Sequence, residues 1–217
     1  MRGLCRPALS VAAKRLEQWL PQPSVMPAVD AYTAAAASFA RSLRGGATGV
    51  MVHLPRAMGQ IPLPEEARDI ARAAADVGVS IGFAISMRDH NPLIYADHDA
   101  RLSGLPPEVA RLAKDTWLRP LPSISEQLAL VDEVALALAD QPDVDVQHEP
   151  TGLQWCGDDV LRAIAEASAR TGRRIHMRLL ETKPQRVWLD QTQPLGGVAF
   201  LNEVGLLSDL LTLTHRV

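Results

Sequence analysis

The chain has little cysteine, no marked excess of charge and no long apolar run, and each absence excludes a class of protein. Cys5 and Cys156 are the only cysteines among 217 residues, and they lack Cys-x-x-Cys spacing, so neither a disulfide framework nor a thiolate metal site is predicted. A net charge of −3 gives no electrostatic basis for binding nucleic acid. No apolar run approaches the roughly 20 residues that span a bilayer. The composition therefore predicts a cytoplasmic protein of one domain, residues 1–217, with neither nucleic acid nor membrane as a partner.

A pattern of amphipathic helix, glycine and short β-branched strand recurs along the chain. Strands are predicted at residues 47–53, 79–87, 143–147, 174–180 and 211–214. Helices are predicted at residues 32–44 and 65–77, after a capping box at Ser123 and Glu126, at 159–170 behind an Asp158 cap, and more weakly at 187–204. This alternation favours parallel βαβ units. A closed (β/α)₈ barrel needs eight strands and about 250 residues, so the prediction is an α/β fold, a partial barrel with parallel strands and outer helices.

The segment between the second and third predicted strands, residues 88–121, is rich in Asp, His, Pro and Gly. Structureless connections of this length are uncommon inside compact domains and are often functional. The sequence therefore predicts a long loop here that serves as a lid.

The fourth predicted strand ends in polar side chains. Strand side chains alternate, so His176, Arg178 and Leu180 should share one face, and in a barrel that face points inward. Glu181 follows just past the strand, at the end where barrel active sites form, and His215 closes the next strand. The pattern predicts that His176, Arg178, Glu181 and His215 meet at one mouth.

Each of these side chains also has a purely structural interpretation. His176 would be a hydrogen-bonded core histidine, and Arg178 would need a carboxylate partner, either Glu181 or Glu149, because an unpaired buried guanidinium is costly. Glu181 would then be a member of a salt bridge. His215 would be exposed and idle.

These residues carry a resemblance to a known family. His-Met-Arg-Leu-Leu-Glu-Thr at 176–182 resembles the fifth-strand motif, His-x-His-x-x-Glu-Thr, of the metal-dependent amidohydrolase superfamily, in its aminohydrolase branch of cytosine-deaminase-like and chlorohydrolase-like enzymes. Leu-Thr-Leu-Thr-His at 211–215 is similar to the sixth-strand motif. Residues 150–161 resemble the turn after the fourth strand and residues 46–52 the second strand. The resemblance implies a partial (β/α)₈ barrel that covers roughly strands 2 to 6.

The family's chemistry supplies a set of expectations. It implies a hydrolase of non-peptide C–N bonds, of deaminase or cyclic amidine type, with a divalent metal (Zn or Fe) and a small nitrogen heterocycle or amidine as substrate. Glu181 would be the catalytic residue and His215 a metal ligand, with His176 as a further candidate. Gln154, Trp155 and Arg178 would bind the substrate.

The chain also departs from the family's pattern. The first-strand His-x-His and the eighth-strand aspartate have no counterpart, and Arg178 replaces the histidine ligand of the fifth strand. Arginine cannot coordinate a metal, since it has no lone pair to offer and stays protonated. The hypothesis is therefore a truncated, catalytically impaired family member whose metal is weakly bound or absent, even though His53 and His148 stand at strand ends where they could act as substitute ligands.

The sequence also allows two other functional hypotheses. The chain could be a non-catalytic binding or interaction protein in which Arg178 holds an anionic ligand, or an unrelated barrel enzyme in which Arg178 grips a phosphate. Part of a barrel would also have unpaired strand edges and apolar interior residues facing water. A homo-oligomer or a complementing chain would cover them.

Overall fold

The computed structural model describes residues 29–54, 61–90, 95 and 98–215. Its helices are α1 Ala31–Arg44, α2 Leu63–Val77, α3 His98–Leu102, α4 Pro107–Trp117, α5 Ile124–Ala137, α6 Asp158–Thr171, α7 Lys183–Thr192 and α8 Gly197–Glu203. Its strands are β1 Gly49–Leu54, β2 Ser80–Met87, β3 Val144–Pro150, β4 Ile175–Arg178 and β5 Leu211–Thr214. In the described part of the chain, no helix is both long enough and apolar enough to cross a membrane.

The strands form one parallel sheet in the order β1-β2-β3-β4-β5. Each strand therefore lies beside its neighbour in sequence, and the intervening helices return the chain to the same end of the sheet, as parallel βαβ units require. The sheet curls into half of a barrel with the helices around it. The predicted fold, a partial (β/α)₈ barrel, is confirmed.

Alternate residues of the strands form the hydrophobic core with the helices. From the middle three strands, β2, β3 and β4, the core takes these side chains: Ile81, Phe83, Ile85, Met87, Val144, Val146, Ile175 and Met177. They pack with apolar side chains of the surrounding helices, among them Ala67 and Ile70 of α2, Val131 of α5, and Leu161 and Ile164 of α6. The period-two alternation of the strands thus fixes which face of the sheet is buried against helices.

The other set of alternate strand residues forms the opposite side of the sheet, here called the concave face. Its members are Gly49, Met51, His53, Ser80, Gly82, Ala84, Ser86, Asp145, Gln147, Glu149, His176, Arg178, Thr212 and Thr214. None of them belongs to the core cluster. The expectation of apolar interior residues facing water is therefore wrong for this face, because polar and small side chains occupy almost all of it.

The helix ends follow the sequence signals with one exception. Gly78 and Gly172 end α2 and α6 in the left-handed conformation, with φ of 81° and 71°, and Ser123 and Glu126 form the predicted capping box. Asp158 is not a cap, because α6 already begins at that residue and Gly157 precedes it. The Asp158 carboxylate instead lies in the first turn, where its negative charge interacts favourably with the positive end of the helix dipole.

Two predicted segments differ from the structure. Residues 88–121 contain α3 and α4 rather than one long loop, because proline at 107 can open a helix at its first position. The single helix predicted at 187–204 is two helices, since Gly196 with φ of 88° interrupts the backbone between them. Residues 91–94, 96 and 97 of the first segment lie outside the described part of the chain.

Candidate functional site

A charged cluster occupies the carboxyl-terminal half of the concave face. The Glu149 carboxylate of β3 is only 2% exposed, and it accepts a hydrogen bond of 2.6 Å from Nδ1 of His53 at the end of β1. Nε of Arg178, at the end of β4, lies 3.7 Å from the same carboxylate oxygen. We call these residues, with His176, the Glu149 cluster. Of the two predicted partners for Arg178, Glu149 is therefore the one that pairs with it.

The hydrogen bond to Glu149 shows which ring nitrogen of His53 is the donor. A carboxylate only accepts hydrogen bonds, so Nδ1 of His53 carries the proton of this bond. This carboxylate–histidine arrangement orients an imidazole in many catalytic and metal sites. The sequence showed both residues at strand ends but gave no sign that they pair across three strands.

His176 is buried beside His53 and stays neutral. The two ring centroids are 4.9 Å apart at an interplanar angle of 64°, and Nε2 of His176 lies 3.5 Å from Oγ1 of Thr214. Burial, followed by the charges of His53, Arg178 and His215, lowers the pKa of His176 to about 4. Nδ1 has no hydrogen-bond partner among the described residues. The structural interpretation of His176 as a hydrogen-bonded core histidine is therefore incomplete, because its Nδ1 has no partner among the described residues.

Glu181 and His215 come together just beyond the ends of β4 and β5. Oε1 of Glu181 lies 4.0 Å from Nε2 of His215, and the backbone N–H of Glu181 donates to Oε1 of Gln185 over 2.8 Å. The backbone turns left-handed at Leu180 and His215, with φ of 54° and 62°. Leu180 consequently packs against the core and not on the face of His176 and Arg178, where alternation predicted it.

Gln154 and Trp155 lie in the turn after β3, as predicted, and both side chains are buried. The Trp155 ring meets the Tyr95 ring edge-on at 6.0 Å, and Tyr95 OH accepts a hydrogen bond of 3.3 Å from Nε2 of Gln185. Since Gln185 also holds the backbone of Glu181, a continuous set of contacts joins the predicted substrate residues to the predicted catalytic one. Gln185 could have been found from its capping-box spacing to Thr182, whereas no pattern in the sequence indicated Tyr95.

His148 lies on the other side of the sheet. Its side chain lies on the helix-facing side of β3. The charges that act on it belong to Asp132 of α5, Arg170 of α6 and Arg173. Burial, followed by Arg173, lowers its pKa to about 4, and neither ring nitrogen has a hydrogen-bond partner in the described part of the chain. The expectation that His148 could act as a substitute ligand at the mouth is wrong.

The described residues do not fit the divalent metal of the family. They include no group of three or more His, Cys, Asp or Glu side chains that could hold a metal ion, whereas a hydrolytic zinc takes about three protein ligands. At the position of the family's histidine, Arg178 places a guanidinium beside Glu149. That cation would repel a second one, and it occupies the carboxylate that could otherwise have served as a ligand.

Comparisons with solved structures agree with this fold. Atrazine chlorohydrolase from Arthrobacter aurescens TC1, complexed with zinc, superposes with a TM-score of 0.62 at 20% identity over 96% of this chain. An adenosine deaminase from Xanthomonas campestris with bound zinc gives 0.61 at 17% identity over 92%. Guanine deaminase from C. acetobutylicum, with guanine in its active site, gives 0.57 at 11% identity over 85%.

The match covers only part of each of these proteins. The chain spans about two fifths of their lengths, namely 42%, 39% and 39%. No family model matches the sequence, and no curated protein matches it either. The resemblance predicted from the strand motifs is therefore confirmed at the level of the fold: the chain has the architecture of part of the barrel in these hydrolase and deaminase structures.

Proposed function

We propose that this chain is related by descent to metal-dependent hydrolases of non-peptide C–N bonds, of the deaminase or cyclic amidine type, and that its own metal chemistry is impaired. The observation that carries the proposal is Arg178, which occupies the motif's ligand position and forms an ion pair with the buried Glu149. The likeness to triazine hydrolases and purine deaminases supports the ancestry. A small nitrogen heterocycle or amidine is then the class of ligand that the site inherits.

The residues of the chain itself would have limited roles in such a site. Glu181 is the only predicted acid–base residue at the mouth, and its carboxylate lies near His215 without a hydrogen bond to it, since 4.0 Å is too long. It would therefore be able to hold or release a proton at Oε1 or Oε2. Gln154 and Trp155 would line the substrate site, and the edge-on contact with Tyr95 would help to hold the Trp155 ring in place.

Metal analysis of the purified chain tests this proposal. We expect well under one zinc or iron per molecule after purification in metal-supplemented buffer, measured by elemental mass spectrometry. Arg178→His should raise the amount of bound zinc only slightly, because the described residues contain no group of three or more metal-binding side chains, and it should not produce deamination of a triazine or purine. Stoichiometric, chelator-removable metal in the unmodified chain would overturn the proposal of impaired metal chemistry.

The second candidate function is binding of an anion by Arg178. Its Nε lies 3.7 Å from Glu149, beyond hydrogen-bond distance, and the side chain is 27% exposed. The guanidinium is therefore neutralised by Glu149 but not fixed by it, so a planar carboxylate could form the bidentate pair that arginine favours.

Calorimetric titration with nicotinate, a heterocyclic carboxylate, and with neutral nicotinamide separates this candidate from nonspecific binding. We expect Arg178→Met to weaken nicotinate binding by about tenfold or more, as loss of a charged hydrogen-bonded pair does. Glu149→Gln should strengthen it, because it removes the competing carboxylate. Arg186→Met, which removes a surface arginine paired with Asp190, is the matched control and should have no effect. Equal affinity for nicotinate and nicotinamide would rule this function out.

A further inference from the structure

Gln185, the third residue of α7, is a buried amide that joins two parts of the candidate site. The residue is only 2% exposed. Its Oε1 accepts a hydrogen bond of 2.8 Å from the backbone N–H of Glu181, and its Nε2 donates one of 3.3 Å to the hydroxyl of Tyr95. A backbone N–H can only donate, so the partner at Glu181 fixes which way the amide points. Both ends of the amide are therefore bonded to residues of the site.

The bond from Gln185 to Glu181 differs from an ordinary helix cap. In a capping box, a side chain at the third helical position accepts from the backbone N–H of the N-cap residue, which in α7 is Thr182. The bond of Gln185 reaches one residue further back, to Glu181, which lies outside the helix. Its effect is therefore on the connection between β4 and α7.

That connection contains a backbone conformation that needs support. Leu180 has a φ of 54°, and the left-handed region is sterically unfavourable for a residue that carries a Cβ atom. Such a conformation persists only where surrounding contacts hold it. The Leu180 side chain packs against the core, and the N–H of the next residue is bonded to Gln185. These two contacts lie on either side of the peptide group that the left-handed turn redirects.

The conformation of Leu180 determines where the Glu181 carboxylate lies. If Leu180 were extended, the alternation of β4 would continue, and Glu181 would lie on the side of Leu179, which is buried in the core. With Leu180 left-handed, the carboxylate instead lies 4.0 Å from Nε2 of His215, at the mouth. The placement of Glu181 in the candidate site therefore depends on this turn.

The other end of the Gln185 amide leads to the predicted substrate residues. Its partner, the hydroxyl of Tyr95, belongs to a ring that meets the Trp155 ring edge-on at 6.0 Å. A ligand that moves either ring therefore acts on the hydrogen bond between Tyr95 and Gln185, and through the rigid amide on the N–H of Glu181.

We propose that Gln185 is a positioning residue, which holds Glu181 at the mouth by supporting the left-handed turn at Leu180. Through Tyr95 it also makes the position of Glu181 depend on what occupies the site beside Trp155. The second part rests on the proposed function, because it takes Trp155 as part of a site for a nitrogen heterocycle. The first part rests only on contacts within the chain itself.

NMR spectroscopy of the whole chain without ligand tests the positioning role. Gln185→Met keeps the length of the side chain but removes the amide. The three-bond coupling and backbone shifts of Leu180 should then move to extended values, and the Glu181 amide should exchange with solvent about fivefold faster or more, as loss of a hydrogen bond allows. Gln185→Glu keeps an acceptor at a helix position that favours glutamate, so both signals should be retained. Gln191→Met, the same substitution at an exposed position of α7, is the matched control and should change neither.

Tyr95→Phe tests the link to the substrate side, because it removes the hydroxyl and keeps the ring. The Glu181 amide should exchange about two- to threefold faster in this variant. Saturating nicotinamide, a neutral heterocycle, should shift the Glu181 amide resonance in the unmodified chain but not in Tyr95→Phe. An equal shift in both chains would contradict the link. Absence of nicotinamide binding would count against the proposed ligand class, whereas the ligand-free spectra would still decide the role of Gln185.

Two results would overturn the positioning role itself. One is a folded Gln185→Met variant in which Leu180 stays left-handed and the Glu181 amide stays protected. The other is an equal change in Gln191→Met, which would show that any such substitution in α7 disturbs the turn. Thermal unfolding checks that each variant folds. If Gln185→Met does not fold, the exchange rate of the Glu181 amide in Tyr95→Phe decides the outcome.

Discussion

The two faces of the sheet are built from the same five strands but differ almost completely in chemistry. The helix-facing side consists almost entirely of valine, isoleucine, leucine, phenylalanine and methionine, with His148 as a polar exception, and it merges with the helices into one core. The concave face carries two histidines, two carboxylates beside a glutamine and an arginine, and two threonines. In a closed barrel the interior is normally packed with bulky branched aliphatic side chains. The apolar core and the polar side chains of the concave face are therefore separated here by a single layer of backbone.

The largest expected contrast between the faces is in packing energy. Phe83 of β2 is completely buried in the core, and Phe83→Ala should lower the free energy of unfolding by about 3–5 kcal/mol, the usual cost of deleting a buried aromatic ring. Thr212→Val on the exposed part of the concave face should change it by no more than about 0.5 kcal/mol. Urea denaturation measures both. Similar losses in the two variants would show that the concave face also contributes a packed core.

Two buried histidines on opposite faces allow a comparison of pH dependence. The pKa of His148 and that of His176 are each lowered to about 4, chiefly by burial, whereas an unfolded histidine titrates near 6.5. Both favour the folded state above pH 6.5, and this contribution is lost as the pH falls from 6.5 to 4. Each histidine then contributes a slope of up to about 1.4 kcal/mol per pH unit in that window.

Substitution separates the two contributions. His148→Leu should lower the slope of unfolding free energy against pH between 4 and 6.5 by up to about 1.4 kcal/mol per pH unit, and the contribution of His176 should remain. Chemical denaturation at a series of pH values measures the slope independently of any constant change in stability. An unaltered slope in His148→Leu would mean that the helix-facing histidine is not held neutral by burial.

A smaller effect is expected from the ion pairs of the concave face. Arg178→Met leaves the buried Glu149 with His53 as its remaining partner, and we expect a loss of about 1–3 kcal/mol in unfolding free energy. Adding Glu149→Gln should recover part of this loss, because the unpaired charge is gone. A double-mutant cycle by urea denaturation measures the coupling. Strict additivity of the two substitutions would show that the two side chains do not interact.

Most of the fold was predictable because it follows from local rules. Alternation in β2 and β3, glycine at the ends of α2 and α6, and the capping box at Ser123 each specify one element with little help from the rest of the chain. The order of the strands then follows from parallel βα units. The two helices within residues 88–121 were missed because turn-forming residues outweighed their short apolar pattern.

The candidate site was predictable only in part. The inward direction of His176 and Arg178 follows from alternation, and the structure agrees with it. The bond between His53 and Glu149 joins residues 96 positions apart, and its formation depends on the stagger of strands that no local pattern reveals. The contact of Tyr95 with Trp155 and Gln185 depends in the same way on where a connecting segment folds back.

The left-handed residues Leu180 and His215 have a consequence for how such chains are compared. They stand where adjacent strands end, directly after the last ladder hydrogen bond, from Leu179 N–H to Thr214 C=O. If the side chains alternated strictly, His215 would lie with Leu211 and Leu213 on the helix-facing side of the sheet. Its imidazole instead lies near the Glu181 carboxylate. A single positive φ angle thus changes the direction of the His215 side chain relative to strict alternation, and it does so without any insertion or deletion. Residue parity is a sound guide only as far as the sheet's hydrogen bonding extends.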